Sequence, residues 1–160
     1  MFKPNFIFDS FLDISVDFLN QNKIKALLLD VDNTLTYAHK TKTLRNGAEE
    51  WFALMRDNNI RLMVLSNAKS CRAKAFGESI GLDVIGMSAK PLPFGYLKAI
   101  KRIGLKPSEI AMVGDQIFTD TLGANVVGLK SILVTDITPE ESLSFRIRRN
   151  LERKILKGVK

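Results

Sequence analysis

Short apolar runs alternate along the chain with longer stretches in which apolar residues recur at helical spacing. The runs KALLLD (25–30), RLMVLS (61–66), DVIGM (83–87), IAMVG (110–114) and SILVT (131–135) are rich in Val, Ile and Leu. Runs of that length with little polar alternation predict strands covered on both faces. Between them, residues 46–58, 70–80, 93–103 and 119–127 predict helices. Each is followed by a left-handed stop, at Asn58-Asn59, Gly81, Gly104 and Gly128 respectively. Strand and helix in alternation predict a parallel α/β sheet with right-handed crossovers. In such sheets ligands gather at the carboxyl ends of the strands. Residues 1–22 predict a helix or an irregular arm, with Phe8, Phe11, Leu12, Phe18 and Leu19 seeking cover. Residues 140–157 predict a last helix, opened by Thr138-Pro139 with proline in its first turn.

Composition narrows the picture. A chain of 160 residues fits one domain, 1–160, with a core at 24–136, an arm at 1–22 and a C-terminal helix within 140–160. One cysteine, Cys71, rules out an internal disulfide framework, and with His39 as the one histidine a Cys/His zinc site is excluded. No apolar stretch reaches the roughly 18 residues of a spanning helix. The hydrophobic N-terminus is interrupted by Asp9, Asp13 and Asp17 and lacks the plan of a signal peptide. A cytoplasmic location is the expectation. The formal charge of +7 is concentrated: residues 146–160 hold seven Lys/Arg and one Glu, so the other 145 residues carry only +1. The expectation is a near-neutral domain with a basic tail.

The polar residues at the strand ends carry the chemistry. The first strand closes on Asp30 and Asp32, the second on Ser66-Asn67. Lys90-Pro91 follows the third, and Gly114-Asp115 ends the fourth, with Asp120 beyond it. A parallel sheet brings all of them to one edge. Four carboxylates there face one evident cation, Lys90, and like charges that close raise one another's pKa. A bound divalent ion supplies the missing charge. Oxygen donors alone indicate a hard cation, Mg²⁺ first. At a strand end, residues two apart face the same way, so Asp30 and Asp32 address one substrate, one as nucleophile and one as proton carrier. Ser66 and Lys90 neutralise phosphoryl oxygens, and backbone amides from Val31 to Thr34 add donors.

The motif Asp30-Val31-Asp32-Asn33-Thr34, followed by Ser66, Lys90 and Gly114-Asp115-x4-Asp120, resembles the four motifs of the haloacid dehalogenase (HAD) superfamily in order and spacing. The likeness spans residues 24–136, and the chain is similar to the capless subclass IIIA phosphatases. The phrases DVDNTLT, LSNAKSCRAKAF, AKPLPFGYLKAI, GDQIFTDTLGAN and NLERKILK resemble its YqeG-like branch, which is similar in turn to mitochondrial phosphatidylglycerophosphate phosphatases. The resemblance implies a three-layer Rossmann-like sandwich with a five-stranded parallel sheet, ordered 5-4-1-2-3, and no cap domain. It implies Asp30 as the nucleophile that forms an aspartyl-phosphate, and Asp32 as the acid and base. Ser66, Asn67 and Lys90 would bind phosphate. Asp30, Asp32 (through its carbonyl), Asp115 and Asp120 would hold Mg²⁺, with Asp120 in direct contact or one shell out. A second Asp at position 32 distinguishes phosphate-ester hydrolysis from dehalogenation. Receiver domains cluster similar groups, but their lysine follows the fifth strand, whereas Lys90 follows the third. With no cap, the site is open, as suits a lipid headgroup or another bulky phosphorylated substrate.

Plainer readings stand beside these. Ser66-Asn67 and Thr119-Asp120 also suit helix caps, Lys90 alone suits a solvated lysine, and Asp30 and Asp32 suit a turn. His39 reads as a surface residue, Cys71 as an inert small one, and Trp51 and Phe52 as core. In the tail, Leu143, Ile147, Leu151, Ile155 and Val159 form one apolar stripe among Arg146, Arg148, Arg149, Arg153, Lys154 and Lys157. Three roles fit: a helix docked on its own domain, a peripheral contact with the inner face of a membrane, or RNA binding. A homo-oligomer is also compatible. The leading function is a Mg²⁺-dependent phosphomonoester hydrolase, with phosphatidylglycerophosphate as candidate substrate. The alternative is a regulatory or assembly factor that binds RNA or ribosomal particles through its tail.

Overall fold

The computed structural model describes residues 1–37, 43–136 and 143–158. Its centre is a sheet of six parallel strands: β1 (Phe6–Phe8), β2 (Ala26–Leu29), β3 (Arg61–Leu65), β4 (Asp83–Ile85), β5 (Ile110–Gly114) and β6 (Lys130–Val134), in the order β1-β6-β5-β2-β3-β4. The helices are α1 (Val16–Gln21), α2 (Ala48–Asp57), α3 (Ser70–Ile80), α4 (Pro93–Ile103), α5 (Leu122–Val126) and α6 (Leu143–Lys157). The expected order of five strands is present inside this sheet. The sixth, β1, is an addition to the reading of residues 1–22, within which α1 is the expected helix.

The reason for β1 lies in its neighbours. Phe6 and Phe8 meet the ring of Phe18 edge-on, each with centroids 4.9 Å apart. Asn5 is fastened to Ser131 by both backbone and side chain, its amide donating to the Ser131 carbonyl at 3.0 Å and its Oδ1 accepting from the Ser131 N–H at 2.8 Å. Three residues are too few to show a period in sequence, and the contacts that select the strand are 126 positions away. Ser10 then caps a 3₁₀ turn at Phe11–Asp13 with a reciprocal bond from its own N–H to Asp13, and Ser15 caps α1.

The strands divide their side chains between two apolar layers. Leu27 and Leu29 of β2 join Val64, Val113 and Ile132 on one face, under Phe11, Leu19, Trp51, Phe52 and Phe76. Ala26 and Leu28 join Met63, Leu65 and Met112 on the other, under Tyr96, Ala99 and Ala124. Continuous apolar runs are what a doubly covered sheet demands. Trp51 and Phe52 are core residues, and the Trp51 indole N–H donates to the Ile14 carbonyl at 3.0 Å. The register sets Leu29 level with Val64 and Val113. Asp30, Ser66 and Asp115 therefore emerge together at one edge. His39 and Thr138-Pro139 lie outside the described residues. Among the described residues no helix is long and apolar enough to cross a membrane.

Candidate active site

The edge is built from three sharp turns. After β2, the Asp30 N–H donates to the Val113 carbonyl at 2.9 Å, and the chain then enters a wide turn at Val31–Leu35. The turn requires Asn33 at φ 62°, in the left-handed region where asparagine is among the tolerated residues. The strand has thus ended before Asp32, and it is the turn, not the pleat, that directs its carboxylate. Arg45 fixes the turn from outside: it donates to the Asn33 carbonyl at 3.1 Å and pairs with Asp136 after β6 at 2.9 Å.

After β3, the Ser66 hydroxyl accepts from the Ala68 N–H at 3.1 Å, a small local cap. The Asn67 amide clamps the segment before α4. Its Oδ1 accepts from the Lys90 N–H at 2.7 Å and the Ser88 hydroxyl at 2.9 Å, and its Nδ2 donates to the Lys90 carbonyl at 3.1 Å. Met87 and Ala89 take positive φ in the same segment, and Lys90 is delivered inward. Its ammonium lies 2.6 Å from Asp30, 2.7 Å from Asp120 and 3.0 Å from the Leu65 carbonyl, with its side chain 2% exposed.

After β5, close approach depends on glycine. A Cβ on Gly114 would lie 2.2 Å from Asp120 Oδ2, so only glycine lets that carboxylate fold back against the strand. A Cβ on Gly123 would lie 2.4 Å from the Tyr96 ring. Fully buried, Tyr96 donates its hydroxyl to the Thr119 carbonyl at 2.9 Å and so supports the turn that carries Asp120.

Asp30, Asp115 and Asp120 bring carboxylate oxygens within 4.8 Å of one another, all three residues buried. Asp115 Oδ1 is buried and without a hydrogen-bond partner. A converging set of hard oxygen donors with one of them unpaired fits a divalent cation. The Asp32 carboxylate stands apart from this group and meets Arg72 at 3.3 Å. Asp30, Asp32, Ser66, Asn67 and Lys90 all line one open cavity of about 820 Å³, with Phe118, Ile147 and Leu151 also in its wall.

Electrostatics follow from burial. Desolvation raises the Asp30 carboxyl from 3.8 to about 7; Lys90 opposes the rise, and Asp120 and Asp32 add to it. Asp115 is pushed up by burial and by Asp30, against Arg149. Burial works against the Lys90 charge, but Asp120 and Asp30 outweigh it and drive its pKa above the ordinary value.

The expectation of a single nearby cation is corrected. Arg72 on α3 reaches Asp32, and Arg149 on α6 grips both the carboxylate and the carbonyl of Asp115. Sequence offers little to mark either one. Arg72 sits in the first turn after the Ser66 motif, and Arg149 is one of several arginines in a basic run. The tail helix docks on its own domain through Arg149 and buried Glu152. Ile147 and Leu151 stay about half exposed at the cavity wall.

Comparisons with known proteins bear on the fold and the family. The deoxy-D-mannose-octulosonate 8-phosphate phosphatase YrbI of Haemophilus influenzae, solved in a cobalt-bound form, shares the fold with a TM-score of 0.58 at 16% identity, over 85% of this chain and 89% of that one. A subfamily III A hydrolase of the HAD superfamily from Legionella pneumophila matches with a TM-score of 0.56 at 21% identity, over 76% and 70%. The "Probable phosphatase YqeG" of Bacillus subtilis is 30% identical across 100% of this chain and 95% of that protein. Phosphatidylglycerophosphatase GEP4, mitochondrial, of Saccharomyces cerevisiae is 29% identical over 84% and 78%. The parallel sheet with its acidic rim is that of a HAD-type phosphatase, a phosphoric monoester hydrolase. Within that class, residues 1–138 match the model for mitochondrial PGP phosphatase, and the chain belongs to this family. The assembly-factor alternative is not favoured.

Proposed function

We propose that the chain hydrolyses phosphatidylglycerophosphate with Mg²⁺, through an aspartyl-phosphate on Asp30. The observation that carries the reading is the buried Lys90 ammonium set between Asp30 and Asp120 beside an unpaired oxygen of Asp115. Asp30, Asp115 and Asp120 would hold the cation, together with the Asp32 carbonyl. Bound there, a divalent ion supplies the positive charge that lets an anionic nucleophile approach an anionic phosphoryl group.

The residues divide the remaining work. A carboxylate oxygen of Asp30 attacks phosphorus, and the bond from phosphorus to the ester oxygen breaks. Asp32 gives its proton to the departing alcohol, then takes one from the water that attacks the phosphoryl-aspartate. Inorganic phosphate leaves and Asp30 is restored. Lys90 holds the Asp30 carboxylate in place, and Ser66 faces the phosphoryl oxygens. Asn67, occupied at the Lys90 backbone, acts chiefly by aiming that lysine. Arg72 meets the Asp32 carboxylate at 3.3 Å and holds it at the cavity wall.

The names of the yeast relative and of the family support the substrate. A peripheral contact at the membrane's inner face fits the substrate too. Ile147 and Leu151 stand half exposed at the cavity wall, with exposed Arg153, Lys154 and Lys157 on the same helix.

The test is release of phosphate from phosphatidylglycerophosphate in mixed vesicles, with Mg²⁺ and with chelator, for wild type and Asp30→Asn. Metal-dependent release that the variant lacks is expected. Hydrolysis of a generic aryl phosphate without hydrolysis of the lipid would remove the substrate from the reading and leave the enzyme class.

A further inference from the structure

We infer that Arg149, braced by Glu152, is a positioning residue of the active site: the C-terminal helix holds Asp115 so that one carboxylate oxygen is presented to the metal. The inference rests on the reading that Asp115, with Asp30 and Asp120, holds the cation.

The geometry is a chain of four links. Arg149 grips Asp115 twice, one guanidinium nitrogen on the backbone carbonyl and the other on Oδ2. The first of those nitrogens also donates to Glu152 Oε2 at 3.0 Å, one helical turn along. The other oxygen of Glu152 accepts from the Ile117 N–H at 2.9 Å, in the turn that leads to Asp120. Glu152 is 3% exposed, and the Arg149 side chain 17%. A solvated basic helix has no need to bury a glutamate. Here it does so to pin Asp115 and Ile117, at the start of the loop that carries both Asp115 and Asp120.

The consequence for Asp115 is specific. With Oδ2 and the carbonyl fixed from one side, its carboxylate cannot turn freely, and Oδ1 is the oxygen left without a partner in the interior. With one prong on the carbonyl and the other on Oδ2, the planar donor ties the Asp115 side chain to its own backbone. Partners of metal-binding carboxylates commonly govern affinity in this way. Arg149 also repels the cation it helps to place, so its effect must be read with the charge held constant.

The experiment is Mg²⁺ titration by calorimetry, with Mn²⁺ binding followed by electron paramagnetic resonance, on the full chain. Arg149→Lys keeps the charge and loses the fork. Its affinity for both ions is expected to fall about tenfold, the lower end of the usual range for such partners. Its kcat is expected to recover as Mg²⁺ is raised, which a general loss of structure would not allow. Glu152→Gln keeps an acceptor for the Ile117 N–H but loosens the hold on Arg149, and is expected to shift affinity the same way by less. Asn150→Ala, exposed on the same helix, is expected to bind as wild type. Thermal melts by circular dichroism check folding, and Glu152→Gln carries the test if Arg149→Lys does not fold. Wild-type or tighter binding by a folded Arg149→Lys overturns the inference and leaves the metal site standing. A wild-type protein that binds neither ion overturns the metal-site reading, and the inference with it.

Discussion

Asp30 carries a conflict between stability and chemistry. Burial lifts its pKa to about 7, so its ionised form is held at a cost that Lys90 only partly offsets. A carboxyl harder to ionise when folded contributes stability that is complete below the unfolded value, near 4, and lost as pH rises through about 7. Asp115 shifts in the same direction. Without divalent ions, stability in urea is expected to decline between pH 4 and pH 7, by up to roughly 4 kcal/mol from Asp30 at about 1.36 kcal/mol per unit. Mg²⁺ at pH 8 should restore most of it. Asp30→Asn should flatten the decline and melt higher than wild type at pH 8 in chelator. The same substitution should cut phosphate release by about a thousandfold or more, as loss of a nucleophile does. A lower melting temperature for the variant would contradict this account of Asp30.

At the scale of elements, the turns decide the site. Gly114→Ala places a methyl group inside the Asp120 carboxylate and should cost about 1–3 kcal/mol, with metal affinity lost alongside. Chemical denaturation and a Mg²⁺ titration read the two effects separately. The strands and most helices were legible from pattern alone: 70–80 and 93–103 coincide with α3 and α4. The acids at the strand ends were legible for the same reason, because the period of a covered sheet shows where each strand stops. What escaped was tertiary. Phe6–Phe8 becomes a strand through Ser131 and Phe18, and the segment at 119–127 divides into a wide turn, Ile117–Thr121, and a short helix so that Asp120 can reach Lys90. Of the tail's apolar stripe, Ile147 and Leu151 stay about half exposed. Docking follows a pair of charges, Arg149 and buried Glu152, that helical periodicity of apolar residues does not weigh.

For the whole molecule, the charge asymmetry of the sequence acquires a place. The basic C-terminal helix lines the cavity with Ile147 and Leu151 and exposes Arg153, Lys154 and Lys157. Replacing Arg153, Lys154 and Lys157 with alanine should weaken flotation with anionic vesicles about a hundredfold at low salt, taking about 1 kcal/mol per basic residue near the surface. Hydrolysis of a water-soluble aryl phosphate should be unchanged. Equal flotation by the variant would detach the tail from any lipid role. Arg72 and Arg149 were invisible as site residues because long-range pairing, not spacing, brings them there. Lys90 has a practical consequence at this scale. Its amine remains protonated and enclosed while the sheet is intact, so acylating reagents that mark surface lysines should pass it by. Opening the sheet would unmask it, which makes the extent of Lys90 acylation, read by mass spectrometry, an internal gauge of how much of a preparation is natively folded.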